Sequence, residues 1–225
     1  MNSTENKVIL FVNGDLPAPE RIRSEIASVD FLIAVDGGLR HLTRLGLTPN
    51  LIIGDLDSAQ PGDVERFRTM GVEVRKYPED KDQTDLELAL QAALERYPQS
   101  IWVVAALGKR LDQTLGNIFL LTHPNLTDTD IRLVDGQEEV FLIRRAAEIH
   151  GTIGDQVSLL PLHGPASGIH TLGLQYPLVG ETLYPHLTRG ISNRMTHATA
   201  SVTVESGLLL CIHSLSEESE RTKLC

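Results

Sequence analysis

Gly54-Asp55-Leu56-Asp57-Ser58, and downstream Lys81-Asp82-Gln83-Thr84-Asp85, are the stretches of this chain with the strongest chemical character. Each follows an apolar run that reads as a strand. Carboxylates gathered where strands give way to loops suit a hard cation, and in an α/β protein such a cation commonly holds phosphates. Asp55 and Asp57 are two apart. In extended chain their side chains point to one side and Leu56 to the other, so the pair can converge on one Mg²⁺. The competing reading is an acidic turn that caps the next helix; the position at the carboxyl end of a predicted parallel strand favours a site. Thr84-Asp85-Leu86-Glu87 has the S/T-x-x-E form of a capping box, and a helix N-terminus opening there also attracts phosphate. Lys81 adds a positive charge beside it.

A second candidate is Gly108-Lys109-Arg110-Leu111-Asp112-Gln113-Thr114. A glycine, two cations and a following helix make a phosphate cradle in which Arg110 grips an anion with two N–H groups. The alternative is a solvated turn with Asp112 as a first-turn helix charge. The run lacks the spacing of a Walker A loop. Asp36-Gly37-Gly38 closes another strand, and its glycines can admit a nucleotide, but there is no G-x-G-x-x-G. The eight histidines have no metal-ligand spacing, and no G-x-S-x-G elbow is present.

These residues must be carried by regular elements. Over the first 135 residues strands are predicted at 8–12, 31–35, 51–53, 72–74, 101–106 and 131–134. Helices are predicted at 20–29, 39–45, 64–70, 86–97 and 111–121. The clearest helix places Leu86, Ala89, Leu90, Ala93, Leu94 and Tyr97 on one face. Continuous apolar strands alternating with helices imply an α/β domain with a mostly parallel sheet flanked by helices. From residue 136 to 225 the pattern changes to short strands, at 140–143, 156–160, 168–172, 198–204 and 208–212, punctuated by glycine and proline. That half is expected to be an antiparallel β-sandwich-like domain, with Ser206-Gly207 as a tight hairpin turn. The tail from Ser214 is polar and is expected to fray.

Composition narrows the partners. Thirty acids against twenty bases give a net charge of −10, which argues against nucleic-acid binding through a broad basic face. Two cysteines, Cys211 in an apolar run and Cys225 at the end, suggest no disulfide framework and a reducing compartment. The polar N-terminus has no signal-peptide core and no apolar run approaches a membrane span, so a soluble, cytoplasmic protein is expected.

Taken in order, several segments resemble the thiamine pyrophosphokinase family. They are Val35-Asp36-Gly37-Gly38, Pro49 through Ser58, Lys81 through Glu87, Leu107 through Asn117, Val157 through Leu162, Gly173 through Leu178, and Ile191-Ser192-Asn193. The resemblance implies transfer of the pyrophosphoryl group of ATP to the hydroxyl of thiamine, giving AMP and thiamine diphosphate. It implies a catalytic α/β domain, a thiamine-binding and dimerisation domain, and a homodimer with sites at the interface. By motif, Asp55, Asp57 and Asp85 would hold Mg²⁺. Lys81, Gln83, Thr84, Arg110 and Asp112 would line the ATP site, shaped by Asp36 and Asn117. Asp55, Asp57, Asp85 and Arg110 would carry the catalysis. Ser192 and Asn193 would reach thiamine, with Leu174, Tyr176 or Met195 as candidates to grip its rings. Gln113 stands where the family usually has histidine, and no proton-transfer role follows for it. A pyrophosphokinase for another alcohol, such as a hydroxymethylpterin, a non-catalytic sensor, and a metal-dependent phosphohydrolase are the rival readings.

Overall fold

The computed structural model describes residues 6–27, 30–108 and 110–216. The chain divides into two compact units, Met1–Gly136 and Gln137–Cys225.

The first unit alternates strand and helix. Its strands are β1 (Lys7–Phe11), β2 (Phe31–Val35), β3 (Leu51–Gly54), β4 (Glu73–Lys76), β5 (Ser100–Val104) and β6 (Asp130–Val134). Its helices are α1 (Pro19–Glu25), α2 (Leu39–Leu45), α3 (Pro61–Thr69), α4 (Asp85–Leu94) and α5 (Leu111–Leu120). The strands lie in the order β4-β3-β2-β1-β5-β6, and every one of these pairings is parallel. The apolar runs are the reason. Val8 to Phe11 and Ile52–Ile53 are buried on both faces, as strands covered by crossover helices must be. On one face Ile9, Phe11, Leu32, Ala34 and Ile52 pack with Ile22 of α1, Leu39 and Leu42 of α2 and Val64 and Phe67 of α3. On the other, α4 lies against β1, β2 and β3. It buries Leu86, Leu88, Ala89, Leu90, Ala92 and Ala93.

Helix limits differ from the sequence reading where capping chemistry intervenes. The first helix ends at Glu25, not Val29, because Ile26 is extended; Val29 itself lies outside the described residues. Pro61 starts α3 three residues early, at the one helical position where a missing N–H costs nothing. Gly46 ends α2 in the left-handed conformation at φ 66°.

Close approach of backbones fixes the strand ends. A Cβ on Gly38 would lie 1.8 Å from the Phe11 carbonyl oxygen. We expect Gly38→Ala to destabilise the first unit by about 1–3 kcal/mol, the usual range for overpacking. The midpoint of denaturant unfolding followed at Trp102, the chain's one tryptophan, measures it.

The second unit is built from β7 (Glu138–Ile143), β8 (Ala146–His150), β9 (Gln156–Leu172), β10 (Val179–Leu183), β11 (Asn193–Arg194), β12 (Thr199–Thr203) and β13 (Ser206–Ser214). Its pairings are antiparallel throughout: β13 with β7 and β9, β12 with β8 and β9, and β10 and β11 with β9. The expectation of a mostly parallel sheet is therefore corrected: taken over the chain, the pairing is mixed. Helical crossovers deliver parallel neighbours in the first half, and short links without helices leave only antiparallel ones in the second.

Two other expectations fail here. The predicted strands at 156–160 and 168–172 are one 17-residue strand, β9, whose first part pairs with β13 and whose last part pairs with β12. Ser206-Gly207 is not a hairpin turn, because β12 and β13 do not pair with each other. Gly207 sits at a register shift of β13 on β9, at φ 96°, where a Cβ would meet the Ala166 Cα at 2.7 Å.

The core of this unit gathers Phe141, Ile149, Val157, Leu159, Ile169, Val202, Leu209 and Cys211. A polar knot lies within it. Asp155 and His213, both fully buried, are 3.1 Å apart, and the Asp155 carboxylate also accepts the N–H groups of Thr152 at 2.8 Å and Ser216 at 2.8 Å. Residues 214–216 do not fray: Leu215 N–H donates to Gln137 O at 2.8 Å, and Ser216 is tied as above. The rest of the tail, with Cys225, lies outside the described residues. Among the described residues, no helix is long and apolar enough to cross a membrane.

Candidate active site

The site is assembled at the carboxyl ends of the parallel strands, where a doubly covered sheet leaves its loops free. The ends of β1, β2, β3 and β5 and the starts of α4 and α5 line a cleft of about 720 Å³, within the range of pockets that take a small ligand. Asp36, Asp55, Asp57, Lys81, Gln83, Thr84, Asp85, Arg110, Asp112 and Asn117 all face it, joined by Asn13 and Gly14 from the loop after β1.

Asp36, Asp55 and Asp57 each bring a carboxylate oxygen within 4.8 Å of the others. Register explains why Asp36 belongs. Val35 of β2 lies beside Ile53 of β3, so the next residue of β2 falls beside Gly54 and the acidic loop. The pairing of Asp55 with Asp57 does not arise from extended chain as expected. Strand β3 ends at Gly54, and Leu56 is left-handed at φ 67°. That turn lets Asp57 N–H donate to Asp55 Oδ1 at 3.1 Å while Leu56 packs on the core. Ser58 completes the loop: its hydroxyl donates to Asp57 Oδ1 at 2.9 Å and its N–H to Asp36 Oδ1 at 3.3 Å.

Burial raises the Asp36 carboxyl above its ordinary range. The N–H groups of Gly37 and Ser58 work against this, and the Asp57 and Asp55 charges add to it. Three crowded carboxylates, one of them uncomfortable as an anion, are a donor set that fits a hard divalent cation. Asp36 and Ala105 share the left-handed strain of Leu56, at φ 47° and 60°. Such outliers, just past the ends of β2, β3 and β5, are held by the surrounding packing.

Asp85 stands apart from that trio. Its Oδ1 lies 3.1 Å from Lys81 Nζ, which also reaches Asp55 Oδ2 at 3.6 Å and donates to Pro78 O at 3.0 Å. Burial pulls the Lys81 ammonium down, but Asp85 and Asp55 outweigh it and leave it above its ordinary range. Thr84 caps α4 by accepting Glu87 N–H at 3.2 Å. The reciprocal half of the capping box is replaced: Glu87 Oε1 accepts from Gln83 Nε2 at 3.1 Å.

Across the cleft Arg110 is paired in a two-point bond with Asp112, at 3.2 and 2.6 Å, both side chains well exposed. Asn117 Nδ2 donates to Ala106 O at 2.8 Å and fixes the loop leaving β5. Lys109, the other cation of that loop, lies outside the described residues.

Asn13 and Gly14 were missed as site residues. Arg40 donates to both of their carbonyls, at 2.9 and 2.7 Å, and His41 Nε2 lies 3.1 Å from Gly14 O. Only the Asn-Gly punctuation after the first strand marked them in the sequence.

Ser192 and Asn193 belong to the second unit. Ser192 N–H donates to Ser158 Oγ at 3.0 Å. The Asn193 side chain accepts from Tyr176 N–H at 3.0 Å and donates to Tyr176 O at 2.7 Å. Its amide thus holds the Tyr176 loop. Of the three side chains considered for gripping a ring, Leu174 and Met195 are buried in the core, and Tyr176 is 63% exposed.

Comparison with known proteins now decides the family. Residues 22–134 match the family model "Thiamin pyrophosphokinase, catalytic domain", and residues 143–209 match "Thiamin pyrophosphokinase, vitamin B1 binding domain". The chain belongs to the thiamine pyrophosphokinase family. It is accordingly a kinase-class enzyme. The thiamine pyrophosphokinase of Bacillus subtilis (strain 168) is 32% identical over 184 residues, 81% of this chain and 86% of that one. Among solved structures, a thiamine pyrophosphokinase from Bacillus subtilis superposes with a TM-score of 0.84 at 27% identity, covering 94% of this chain and all of that one. The thiamin pyrophosphokinase of Geobacillus thermodenitrificans gives 0.80 at 25% identity, covering 95% and 99%.

Proposed function

We propose that this enzyme transfers the pyrophosphoryl group of ATP to the hydroxyl of thiamine, releasing AMP and thiamine diphosphate. The observation that carries this reading is the meeting of Asp36, Asp55 and Asp57 in one cleft with the N-terminus of α4 and the Arg110 loop. Metal-ready carboxylates, an anion-attracting helix end and a guanidinium are what a triphosphate requires.

Asp55 and Asp57, with Asp36, would hold Mg²⁺, and Asp85 is the fourth carboxylate at hand. When bound, the ion supplies charge neutralisation and Lewis-acid polarisation of the transferring group. The protein's own part is positioning. Gln83, Thr84 and Lys81 receive the polyphosphate at the start of α4. Arg110, released from Asp112, grips non-bridging oxygens, where charge grows as AMP departs. The thiamine hydroxyl attacks the β-phosphorus in line with the leaving AMP oxygen, and Asp57 or Asp85 takes its proton. Asp36 and Asn117 keep the walls in place. In the second unit, Ser192, Asn193 and the exposed Tyr176 serve thiamine.

The reading includes a division of labour between residues 1–135, for ATP and Mg²⁺, and 136–225, for thiamine and dimerisation. It includes a homodimer with its sites at the subunit interface. Leu111, Leu115 and Phe119, exposed at four-residue intervals along α5, support an association surface, since apolar stripes of this kind are usually covered. A reducing cytoplasm suits the free thiol of Cys211.

Incubation with ATP, Mg²⁺ and thiamine, with products read by mass spectrometry, tests the function. AMP and thiamine diphosphate are expected. ADP, or nucleotide turnover indifferent to thiamine, overturns the reading.

A further inference from the structure

We infer that Lys81 is a place-holding cation: in the nucleotide-free enzyme its ammonium occupies the space between Asp55 and Asp85 and makes capture of a divalent ion conditional on nucleotide. The inference rests on the reading of the acidic cluster as a divalent-metal site.

The placement of Nζ carries the argument. It donates to Pro78 O at 3.0 Å and forms ion pairs with Asp85 Oδ1 at 3.1 Å and Asp55 Oδ2 at 3.6 Å, so it stands between two carboxylates. The Lys81 and Asp85 side chains are only 15% and 21% exposed, and Lys81 reaches Asp85, the first residue of α4, from the loop before it. This is a held charge. Arg110, by contrast, pairs with one exposed carboxylate at the surface. The carboxylate that Lys81 touches, Asp55, is a member of the Asp36–Asp55–Asp57 trio.

An ammonium against one ligand of a cation site opposes a dication in two ways. It repels the ion, and it neutralises an oxygen the ion needs. ATP removes both obstacles together. Its phosphates offer the ammonium a better anionic partner, and they bring further oxygen ligands for the metal. Once Lys81 turns to phosphate, Asp55 and Asp85 are both released toward the ion. Metal therefore enters with nucleotide, and until then Lys81 offsets part of the negative charge of the cleft. Lys81 is a positioning residue on this account, acting through the carboxylates it releases.

The test is a Mn²⁺ titration of nucleotide-free protein, with free Mn²⁺ read by electron paramagnetic resonance. We expect Lys81→Met to bind Mn²⁺ at least about tenfold more tightly than wild type, and Lys81→Arg, which keeps the charge, to match wild type. In steady state, Lys81→Met should raise the KM for ATP. Equal or weaker Mn²⁺ binding by Lys81→Met overturns the inference, since a merely structural lysine would not restrain the metal. Lys81→Gln, of similar reach and still a donor, carries the same expectation should the methionine variant fail to fold. Adding Asp55→Asn to either variant separates the two readings. Mn²⁺ binding that survives this change removes the metal site itself. Binding that Asp55→Asn abolishes, with Lys81→Met no tighter than wild type, removes only the role of Lys81.

Discussion

Asp55→Asn is expected to lower the rate of thiamine-dependent AMP formation by about 10³-fold or more while leaving the fold intact. Asparagine has the same shape and keeps an oxygen where Asp55 Oδ1 accepts the Asp57 N–H, so the left-handed turn through Leu56 survives. What is lost is one negative charge from a cluster whose oxygens lie within 4.8 Å of one another. Removal of single electrostatic groups acting on the transition state costs about 10²–10³ in rate. Loss of a metal ligand acts on both binding and chemistry, which places this change at or beyond the upper end. Steady-state kinetics measure the rate, and circular dichroism checks the fold. A variant with wild-type turnover would remove Asp55 from the machinery.

The second large effect is on stability. Asp155→Ala is expected to destabilise the second unit by about 3–5 kcal/mol, the range for breaking one partner out of a buried charged network. The change orphans the N–H groups of Thr152 and Ser216 and the His213 ring nitrogen together. Burial alone would raise the Asp155 carboxyl. The N–H groups and His213 outweigh burial, and it sits below its ordinary range. A depressed folded-state value fixes the sign: the contribution is complete above the unfolded carboxylate value of about 3.9 and fades as pH falls through the lower folded one. The carboxylate's own share of the gap between wild type and Asp155→Ala should therefore be lost as pH falls below about 4. Hydrogen exchange resolves where it acts. Amides of β13 should lose protection while the emission of Trp102, in β5 of the first unit, is unchanged. Equal exchange in β13 would assign the knot no stabilising role.

The alternation of strand and helix was legible in the first half because a doubly covered sheet writes itself as uninterrupted apolar runs such as Val8–Phe11. Asp55, Asp57 and Asp85 were legible as candidates for the same reason, since each follows such a run or a capping signal. That Asp36 joins Asp55 and Asp57 was not. Nothing local distinguishes it from a turn residue, and only the alignment of Val35 with Ile53 across two strands brings it there. The same limit hid Lys81 between Asp55 and Asp85. In the second half, Pro161, Gly164 and Pro165 read as breaks, yet β9 runs through all of them. Partners on both sides, β13 for its first part and β12 for its last, hold the strand across residues that would otherwise end it. Strands β8, β10 and β11 were missed because sequences such as Ala146–His150 lack a run of β-branched or aromatic residues.

The strand order of the first unit bears on how the chain is made. Strand β1 leaves the ribosome first but ends beside β2 on one edge and β5 on the other, with Leu10 opposite Val103. One edge of this apolar strand stays bare until Val103 and its neighbours have been synthesised, a window in which an unpaired strand can recruit the wrong neighbour. Closing so distant a pairing also slows folding. The excess of acidic residues gives nascent copies a shared negative charge, and their mutual repulsion guards that edge during the wait.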